Sequence, residues 1–242
     1  GHPCDMDPIL AVARKYDLPV VEDATESLGS TYKGQMAGNM GDVGCFSFNG
    51  NKLITTGGGG MIVANDQDSA QRARYLTTQA KDDPIEYVHD EIGYNYRLSN
   101  IQAAMGVAQM EQIGEFIAKK RSSARAYEKA FASVDGITTM AAQPGTDPVY
   151  WLYTVLLPDG TTLKARKNVI SELNESDIGA RPLWHPMHSL KPYKDCQAYK
   201  IDHSVRLYQR AVSLPSSVGL TDQEQERTVA TLSAALERIE TV

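Results

Sequence analysis

A helical pattern that runs directly into a short apolar segment is the feature that most constrains the fold of this chain. Residues 7–16 place apolar side chains on one helical face, and Asp7-Pro8 supplies an acidic cap followed by a proline suited to the first helical turn. Residues 18–21 then form an apolar, β-branched run that ends in Glu22-Asp23. A helix followed by such a run is typical of a βαβ unit with a buried parallel strand. We therefore predict an α/β domain.

The remaining helix and strand signals divide the chain into two parts. Strands are predicted at about 44–48, 61–64, 149–157 and 179–184, and helices at about 68–80, 99–134, 162–174, 203–212 and 222–239. Capping boxes at Ser99-x-x-Gln102 and Thr221-x-x-Glu224 mark two of the helix starts. We expect a first domain over residues 1–112, and a long linking helix with a small α+β domain over residues 113–242.

The bulk properties exclude several classes of protein. Of the 242 residues, 42% are hydrophobic and 22% are charged, which is ordinary for a globular chain. The net charge of −6 offers no general attraction for nucleic acid or anionic lipid, so an anionic substrate requires a local cluster of donors. No apolar run reaches the roughly 18 residues of a membrane span. The three cysteines form no CxxC pair, which suits a reducing cytoplasm.

The segment from Gly44 to Gly60 carries most of the candidate chemistry. Lys52 lies in a partly apolar setting, where desolvation favours a nucleophilic amine. Ser47 could offer a hydroxyl to a phosphate, and the glycines at 57–60 allow positive φ and close approach of a ligand. The alternative is an exposed lysine beside a flexible loop. A nucleotide P-loop is poorly supported, because the glycines follow the lysine.

Three other places carry candidate residues. Asp23 follows a predicted strand, where ligands of α/β sheets bind, although a helix cap or an ion-paired loop residue is the alternative. Asn95 precedes a predicted helix N-terminus, a natural anion site, although Ser99 would also cap that helix. Near the other end, the residues from Arg181 to His188 combine a cation, an indole and two imidazoles. Pro186 argues against a helical pair of histidine ligands there, so we expect no metal.

These pieces together resemble the DegT/DnrJ/EryC1/StrS family of nucleotide-sugar aminotransferases, within the fold type I pyridoxal-phosphate enzymes. The resemblance runs in the family's order along essentially the whole chain. Its carriers are Glu22-Asp23-Ala24, Gly41-Asp42 ahead of Phe46-Ser47-Phe48, Lys52 followed by Thr-Thr-Gly-Gly-Gly-Gly, Gly93-Tyr-Asn95-Tyr-Arg97-Leu-Ser99-x-x-Gln102, Arg181-Pro-Leu-Trp184, Met187-His188 and Leu214-Pro215-Ser216-Ser217. It implies the α/β fold of aspartate aminotransferase, as the remainder of a large domain with a small α+β C-terminal domain.

The resemblance also implies roles for individual residues. Lys52 would bind pyridoxal 5′-phosphate as a Schiff base, and Asp23 would pair with its pyridinium nitrogen. Ser47 would bind the cofactor phosphate. Asn95 would reach the cofactor phosphate of the partner subunit, which implies a homodimer with shared active sites. Glu26 falls beside the cofactor ring, where many members have Gln or His.

The implied reaction transfers the amino group of L-glutamate to a nucleotide-linked keto sugar, with Arg181, Trp184 and His188 on the sugar-nucleotide side. Within the family the chain most resembles enzymes that aminate C4 of UDP-linked 4-keto-6-deoxy-N-acetylhexosamines for bacterial surface glycans. Amination at C3, or amination of a cyclitol, stays open as an alternative reaction. The nucleotide also stays open and is UDP, GDP or dTDP.

The resemblance departs from the family at the N-terminus. Members carry a substantial N-terminal segment with a helix start for the cofactor phosphate, an aromatic ring over the cofactor and several strands. Because the sequence opens on Gly1-His2-Pro3, we expect it to begin in mid-domain. An inactive cofactor-binding fragment is therefore a further alternative, with weak cofactor binding and an aggregation-prone sheet edge as its consequences.

Overall fold

The computed structural model describes residues 1–238 and divides them into two compact units. The first unit comprises Gly1–Lys119 and Ala142–Trp151, and the second comprises Lys120–Ala141 and the chain from Leu152 onward. The predicted division at 112/113 into functional domains stays a prediction.

The first unit is built on a small mixed sheet. Its elements are α1 (Met6–Lys15), β1 (Val21–Asp23), β2 (Thr31–Tyr32), β3 (Gln35–Met36), β4 (Val43–Ser47), β5 (Gly60–Ala64), α2 (Gln67–Thr77), α3 (Asn100–Met110), the start of α4 (Ile113–Phe131) and β6 (Thr146–Asp147). The main sheet has the order β1-β4-β5, with β1 parallel and β5 antiparallel to β4. A second sheet joins β3, β2 and β6.

The first predicted strand is shifted and is not buried. Strand β1 begins at Val21, not at residue 18, because Asp17 turns the chain with a φ of 52° and the amide of Leu18 still bonds to Ala13 of the preceding helix. Val21 is 65% exposed, and β1 lies at the edge of its sheet within the described chain. The predicted parallel pairing is correct, whereas the predicted burial of this strand is wrong.

The long predicted helix over 99–134 is two helices. Helix α3 ends at Met110 and α4 begins at Ile113. Between them the amide of Gln112 bonds to the carbonyl of Gln109, a tighter three-residue spacing that interrupts the α-helical ladder. The predicted capping box at Ser99 and Gln102 is present at the start of α3.

The second unit packs helices against a three-stranded antiparallel sheet. Its elements, besides the rest of α4, are β7 (Tyr153–Leu156), α5 (Leu163–Glu175), β8 (Arg181–Pro182), a 3₁₀ turn (Met187–Ser189), α6 (Asp202–Arg210), β9 (Ala211–Leu214) and α7 (Asp222–Leu236). The sheet order is β7-β9-β8. The core includes the fully buried side chains of Tyr127, Tyr153, Leu173, Val212 and Leu232.

Three predicted boundaries in this region require correction. The helix predicted to reach residue 212 ends at Arg210, because Ala211–Leu214 forms a wholly buried central strand. The strand predicted from 149 begins at Tyr153, since Tyr150 has a φ of 51° that extended strands do not adopt. The helix predicted over 222–239 is described to Leu236, and its last predicted residue lies outside the described residues.

Within residues 1–238, no helix combines the length and the apolar character that crossing a membrane requires.

Candidate functional site

Asp23 and Ser47 lie at the carboxyl ends of two parallel, hydrogen-bonded strands. Asp23 ends β1 opposite Cys45, and Ser47 ends β4 two residues further along. Because side chains alternate along a strand, Asp23, Cys45 and Ser47 share one face of the sheet. Strand spacing and rise put the Cα atoms of Asp23 and Ser47 roughly 8 Å apart. A carboxylate and a hydroxyl thus stand on one face of the sheet edge.

The two neighbouring carboxylates of Glu22 and Asp23 have different surroundings. Glu22 faces the opposite side of the sheet and accepts hydrogen bonds from the backbone amides of Gly38, Met40 and Gly41 at 2.6–2.8 Å. Asp23 is exposed, and the one hydrogen bond that it accepts within residues 1–238 comes from the amide of Thr25, at 3.2 Å. Glu22 is therefore occupied in holding the loop at 38–41, whereas Asp23 stays available to a ligand.

The segment after β4 presents Lys52 from an anchored loop. Its flanking side chains Phe48, Ile54 and Thr56 are buried, with Ile54 only 1% exposed. The amide of Lys52 donates to the carbonyl of Asn49 at 3.0 Å, which makes a tight turn. The Oγ of Ser47 accepts from the amide of Asn49 at 3.3 Å, so its own hydrogen is free to be donated. The alternative of a lysine on a flexible loop is not supported by these anchors.

Trp151 is a neighbour of Lys52 that sequence reasoning missed. The Nζ of Lys52 lies 3.9 Å from the centroid of the Trp151 ring. The indole Nε1 of Trp151 donates to the carbonyl of Asn51 at 2.7 Å, and the ring is 6% exposed. Within the described part of the chain, no carboxylate lies within 4 Å of Lys52 Nζ. The lysine is thus oriented by an aromatic face and not by an acid.

The glycine run after Lys52 serves the packing of the protein itself. Gly57 and Gly59 have φ values of 77° and 95°, which agrees with the prediction that the glycines at 57–60 allow positive φ. A Cβ on Gly59 would lie 2.3 Å from the side chain of Leu98, and one on Gly60 would lie 2.4 Å from the carbonyl of Phe46. The run therefore lets the chain turn tightly into β5.

Asn95 lies in an extended segment beside the C-terminal end of α2. It forms an isolated β-bridge with Thr78 and lines a small cavity together with Arg74, Lys81 and Arg97. Ser99 caps α3 through its hydroxyl, as the alternative interpretation of this segment expected. The role of Asn95 toward a phosphate stays a prediction, and so does that of Glu26, which lies half-buried in the turn after β1.

The predicted sugar-nucleotide residues all belong to the second unit. Arg181 opens β8, Trp184 is 61% exposed, and His188 lies in the 3₁₀ turn. His188 lines a cavity of about 480 Å³ with Tyr193 and Tyr199 among its walls. His185 is used differently, because its Nδ1 pairs with the hydroxyl of Ser189 at 2.8 Å. The substrate role of Arg181, Trp184 and His188 stays a prediction.

No group of three or more His, Cys, Asp or Glu side chains suited to a metal ion occurs in the part of the chain that the structure describes. The cysteines Cys4, Cys45 and Cys196 are free thiols.

Comparison with known proteins shows which family this chain belongs to. The sequence profile of the DegT/DnrJ/EryC1/StrS aminotransferase family matches residues 1–233. The chain belongs to this family. The predicted resemblance to the family is therefore confirmed.

Individual relatives agree with this assignment. The chain is 41% identical over 238 residues to GDP-perosamine synthase of Caulobacter vibrioides, covering 98% of this chain and 64% of the synthase. It is 39% identical over 236 residues to EpsN of Bacillus subtilis, whose name carries the words pyridoxal phosphate-dependent aminotransferase, covering 96% of this chain and 60% of EpsN. The chain thus spans under two thirds of the length of these relatives.

A solved structure confirms the predicted fold class. The crystal structure of DesI in the presence of its TDP-sugar product superposes with a TM-score of 0.89 at 28% identity, covering 98% of this chain and 60% of DesI. The α/β fold of fold type I pyridoxal-phosphate enzymes, with a small C-terminal α+β part, therefore applies to this chain.

Proposed function

We propose that the protein containing this chain is a pyridoxal-phosphate-dependent aminotransferase that moves the amino group of L-glutamate to C4 of a nucleotide-linked 4-keto-6-deoxy sugar. The observation that carries the proposal is the placement of Asp23 and Ser47 on one face of the sheet at the carboxyl ends of β1 and β4, with Lys52 in the anchored loop that follows β4. Family membership over residues 1–233 supports the same activity.

The three side chains fit the chemical groups of pyridoxal phosphate. When bound, this cofactor supplies a carbonyl that condenses with amines and a protonated ring that withdraws electrons from the adjacent bonds. Asp23 has no cationic partner within 4 Å in the described chain, so its carboxylate can pair with the ring nitrogen. Ser47, roughly 8 Å away on the same sheet face, can donate to the phosphate. Glu26 follows Asp23 and would lie beside the ring.

Lys52 would both bind the cofactor and move the proton. Its Nζ has no carboxylate within 4 Å in the described chain, so it is not held in an ion pair. The amine of Lys52 would accept the proton from the Cα of the donor amino acid as general base and deliver it to the C4′ position of the cofactor as general acid. The indole of Trp151, against which Nζ lies, limits where this amine can move.

The names of the relatives support a nucleotide sugar as the acceptor. GDP-perosamine synthase is named for a GDP-linked sugar, and DesI was crystallised with a TDP-sugar. The proposal gives Arg181, Trp184 and His188 to this substrate. It also includes a cytoplasmic homodimer in which Asn95 serves the partner's cofactor, with a product destined for bacterial surface glycans.

A screen of sugar nucleotides tests the substrate. The intact gene product, loaded with pyridoxal phosphate, would be incubated with L-glutamate and with 4-keto or 3-keto sugars carried on GDP, UDP or dTDP, and 2-oxoglutarate would be measured. We expect turnover with a 4-keto-6-deoxy sugar. Turnover only with 3-keto sugars would replace C4 amination by the alternative C3 reaction of the family. No turnover with any acceptor would contradict the proposed activity.

A further inference from the structure

The loop that presents Lys52 is held by a side chain of helix α3, Gln109. The backbone amide of Thr55 donates to Oε1 of Gln109 at 2.8 Å, across 54 positions of sequence. On the other side of the lysine, Nε1 of Trp151 donates to the carbonyl of Asn51 at 2.7 Å. Lys52 therefore lies between two points at which side chains from distant parts of the chain hold its loop.

Thr55, which Gln109 holds, closes the base of this loop. The Oγ of Thr55 donates to the carbonyl of Phe48 at 3.1 Å and accepts from the amide of Gly57 at 2.9 Å. The amide of Thr56 donates to the same carbonyl of Phe48 at 3.0 Å. Residues 49–54, with the lysine among them, lie between these closing contacts. A movement of Thr55 would therefore move the base from which the lysine side chain extends.

Helix α3 meets the lysine loop through Gly106 and Gln109, which lie about one turn apart. A Cβ on Gly106 would lie 3.0 Å from Cγ2 of Thr56, whose side chain is buried. Both Gly106 and Gln109 are half-buried, whereas Ile101 and Val107 of the same helix are exposed. A small residue thus lets the helix approach the loop, and the amide of Gln109 supplies the hydrogen-bond acceptor.

We propose that Gln109 is a positioning residue for Lys52, acting through the amide of Thr55. The inference rests on the proposed function, in which Lys52 bonds to pyridoxal phosphate. An amide that loses its acceptor in a half-buried position destabilises the segment to which it belongs. Because reacting groups must meet in one geometry, a displacement of about 1 Å can slow a reaction on the order of 100-fold. Loss of the Gln109 acceptor should therefore slow the reaction of the lysine without removing any reacting group.

A glutamine that merely stabilised α3 would have a different effect. Its loss would speed hydrogen exchange along the whole helix and lower the free energy of unfolding, while the rate at which the lysine reacts would stay unchanged in the folded protein. A positioning role instead concentrates the change in the loop at 49–57 and in the chemistry of Lys52. Two measurements on the intact gene product separate these roles.

Hydrogen exchange of the cofactor-free protein, followed by mass spectrometry, tests the contact itself. Gln109→Leu removes the acceptor and should speed exchange of peptides covering 49–57 at least about threefold. Gln109→Glu keeps an acceptor oxygen and should stay within about twofold of the wild type. Gln112→Leu is the matched control, because Gln112 is exposed and its side chain donates to Ala108 of its own helix at 3.3 Å. Equal exchange of the loop in Gln109→Leu and the wild type would overturn the inference.

If Gln109→Leu fails to fold, Gln109→Met serves in both measurements. Its unbranched side chain has a similar length, adapts to its surroundings and carries no oxygen acceptor.

The rate at which Lys52 takes up pyridoxal phosphate tests the consequence. The cofactor would be added to each variant, trapped with borohydride after increasing times, and measured on the peptide containing Lys52. We expect Gln109→Leu to react at least about fivefold more slowly, and Gln109→Glu to restore most of the rate. A wild-type rate in Gln109→Leu would overturn the positioning role. A wild type that never carries the label at Lys52 would contradict the proposed function instead, and the exchange measurement alone would then decide whether Gln109 holds the loop.

Discussion

Lys52 is a case in which the sequence predicts the residue but not its neighbour. Lys52 belongs to an ordered set of sequence motifs. Trp151 is distant in the sequence, because it bonds to the lysine loop through Asn51, which lies 100 residues earlier. No local pattern marks a contact at that separation. The conformation of Tyr150, with positive φ, is equally invisible to strand periodicity, although it is what delivers Trp151 to the loop.

Lys120 is a second residue that periodicity could not explain. It lies on α4 and is 5% exposed, and its Nζ donates to the carbonyl and the hydroxyl of Ser216. Burial lowers the pKa of Lys120 to about 8 from an ordinary value of 10.5. Tyr127, about two turns further along α4, donates to the carbonyl of Pro215 at 2.9 Å. Together these two side chains hold the segment at 214–217 that carries a family motif.

The lowered pKa of Lys120 predicts a pH-dependent stability. Because the unfolded chain keeps this amine protonated up to about pH 10.5 and the folded chain only up to about pH 8, the free energy of unfolding rises with pH between these values. At about 1.4 kcal/mol per pH unit, the gain is at most about 3 kcal/mol. Urea unfolding of wild type and Lys120→Met from pH 7.5 to 10 would measure it. The variant should lack this rise, and parallel pH profiles would refute the interpretation.

At the scale of elements, the helices that begin with capping boxes were predictable and the buried strand β9 was not. Ser99 and Thr221 start α3 and α7 as their sequences predict, because capping is a local interaction. Ala211–Leu214 is a run of four residues, three apolar and one serine, with every side chain buried. Such a run has no alternation to distinguish a central strand from the end of a helix. The pairing with β7 and β8 in the folded protein makes this segment a strand.

The packing of β4 against the loop at 38–41 gives a prediction for this element. Gly44 is buried, and a Cβ there would lie 1.9 Å from the carbonyl oxygen of Gly38. Gly44→Ala should therefore lower the free energy of unfolding by more than about 2 kcal/mol, since backbone must move to make room. Gly50→Ala is the matched control, because its Cβ would meet nothing within 4 Å and should change stability by less than about 0.5 kcal/mol. Equal stabilities of the two variants in urea unfolding would contradict the assigned packing.

At the scale of the whole molecule, the first unit exposes several large apolar side chains between residues 85 and 110. Ile85, Ile92 and Ile101 are each about four fifths exposed, at 82%, 84% and 79%, and α3 buries none of its residues. Exposed apolar side chains in such number are typical of surfaces that another chain covers. They support the proposed homodimer, which the sequence suggested only through the family role of Asn95.

Mixing inactive variants tests whether the active sites are shared between subunits. Lys52→Ala removes the amine, and Asn95→Asp places a negative charge where a phosphate is proposed. If Asn95 serves the partner's site, a hybrid of the two variants has one intact site. Equal mixing after subunit exchange should then restore about a quarter of wild-type turnover, because half of the dimers are hybrids and half of their sites are intact. No recovery, with hybrids demonstrated by mass spectrometry, would show that Asn95 acts within its own subunit.

The central claim is that Lys52 forms the covalent bond to the cofactor, and reduction with borohydride tests it most directly. The intact gene product would be loaded with pyridoxal phosphate, reduced, digested and analysed by mass spectrometry. We predict that the phosphopyridoxyl group is found on the peptide containing Lys52, and that Lys52→Ala carries no label while retaining its fold by circular dichroism. A label on another lysine of the wild type, or none at all, would contradict the account.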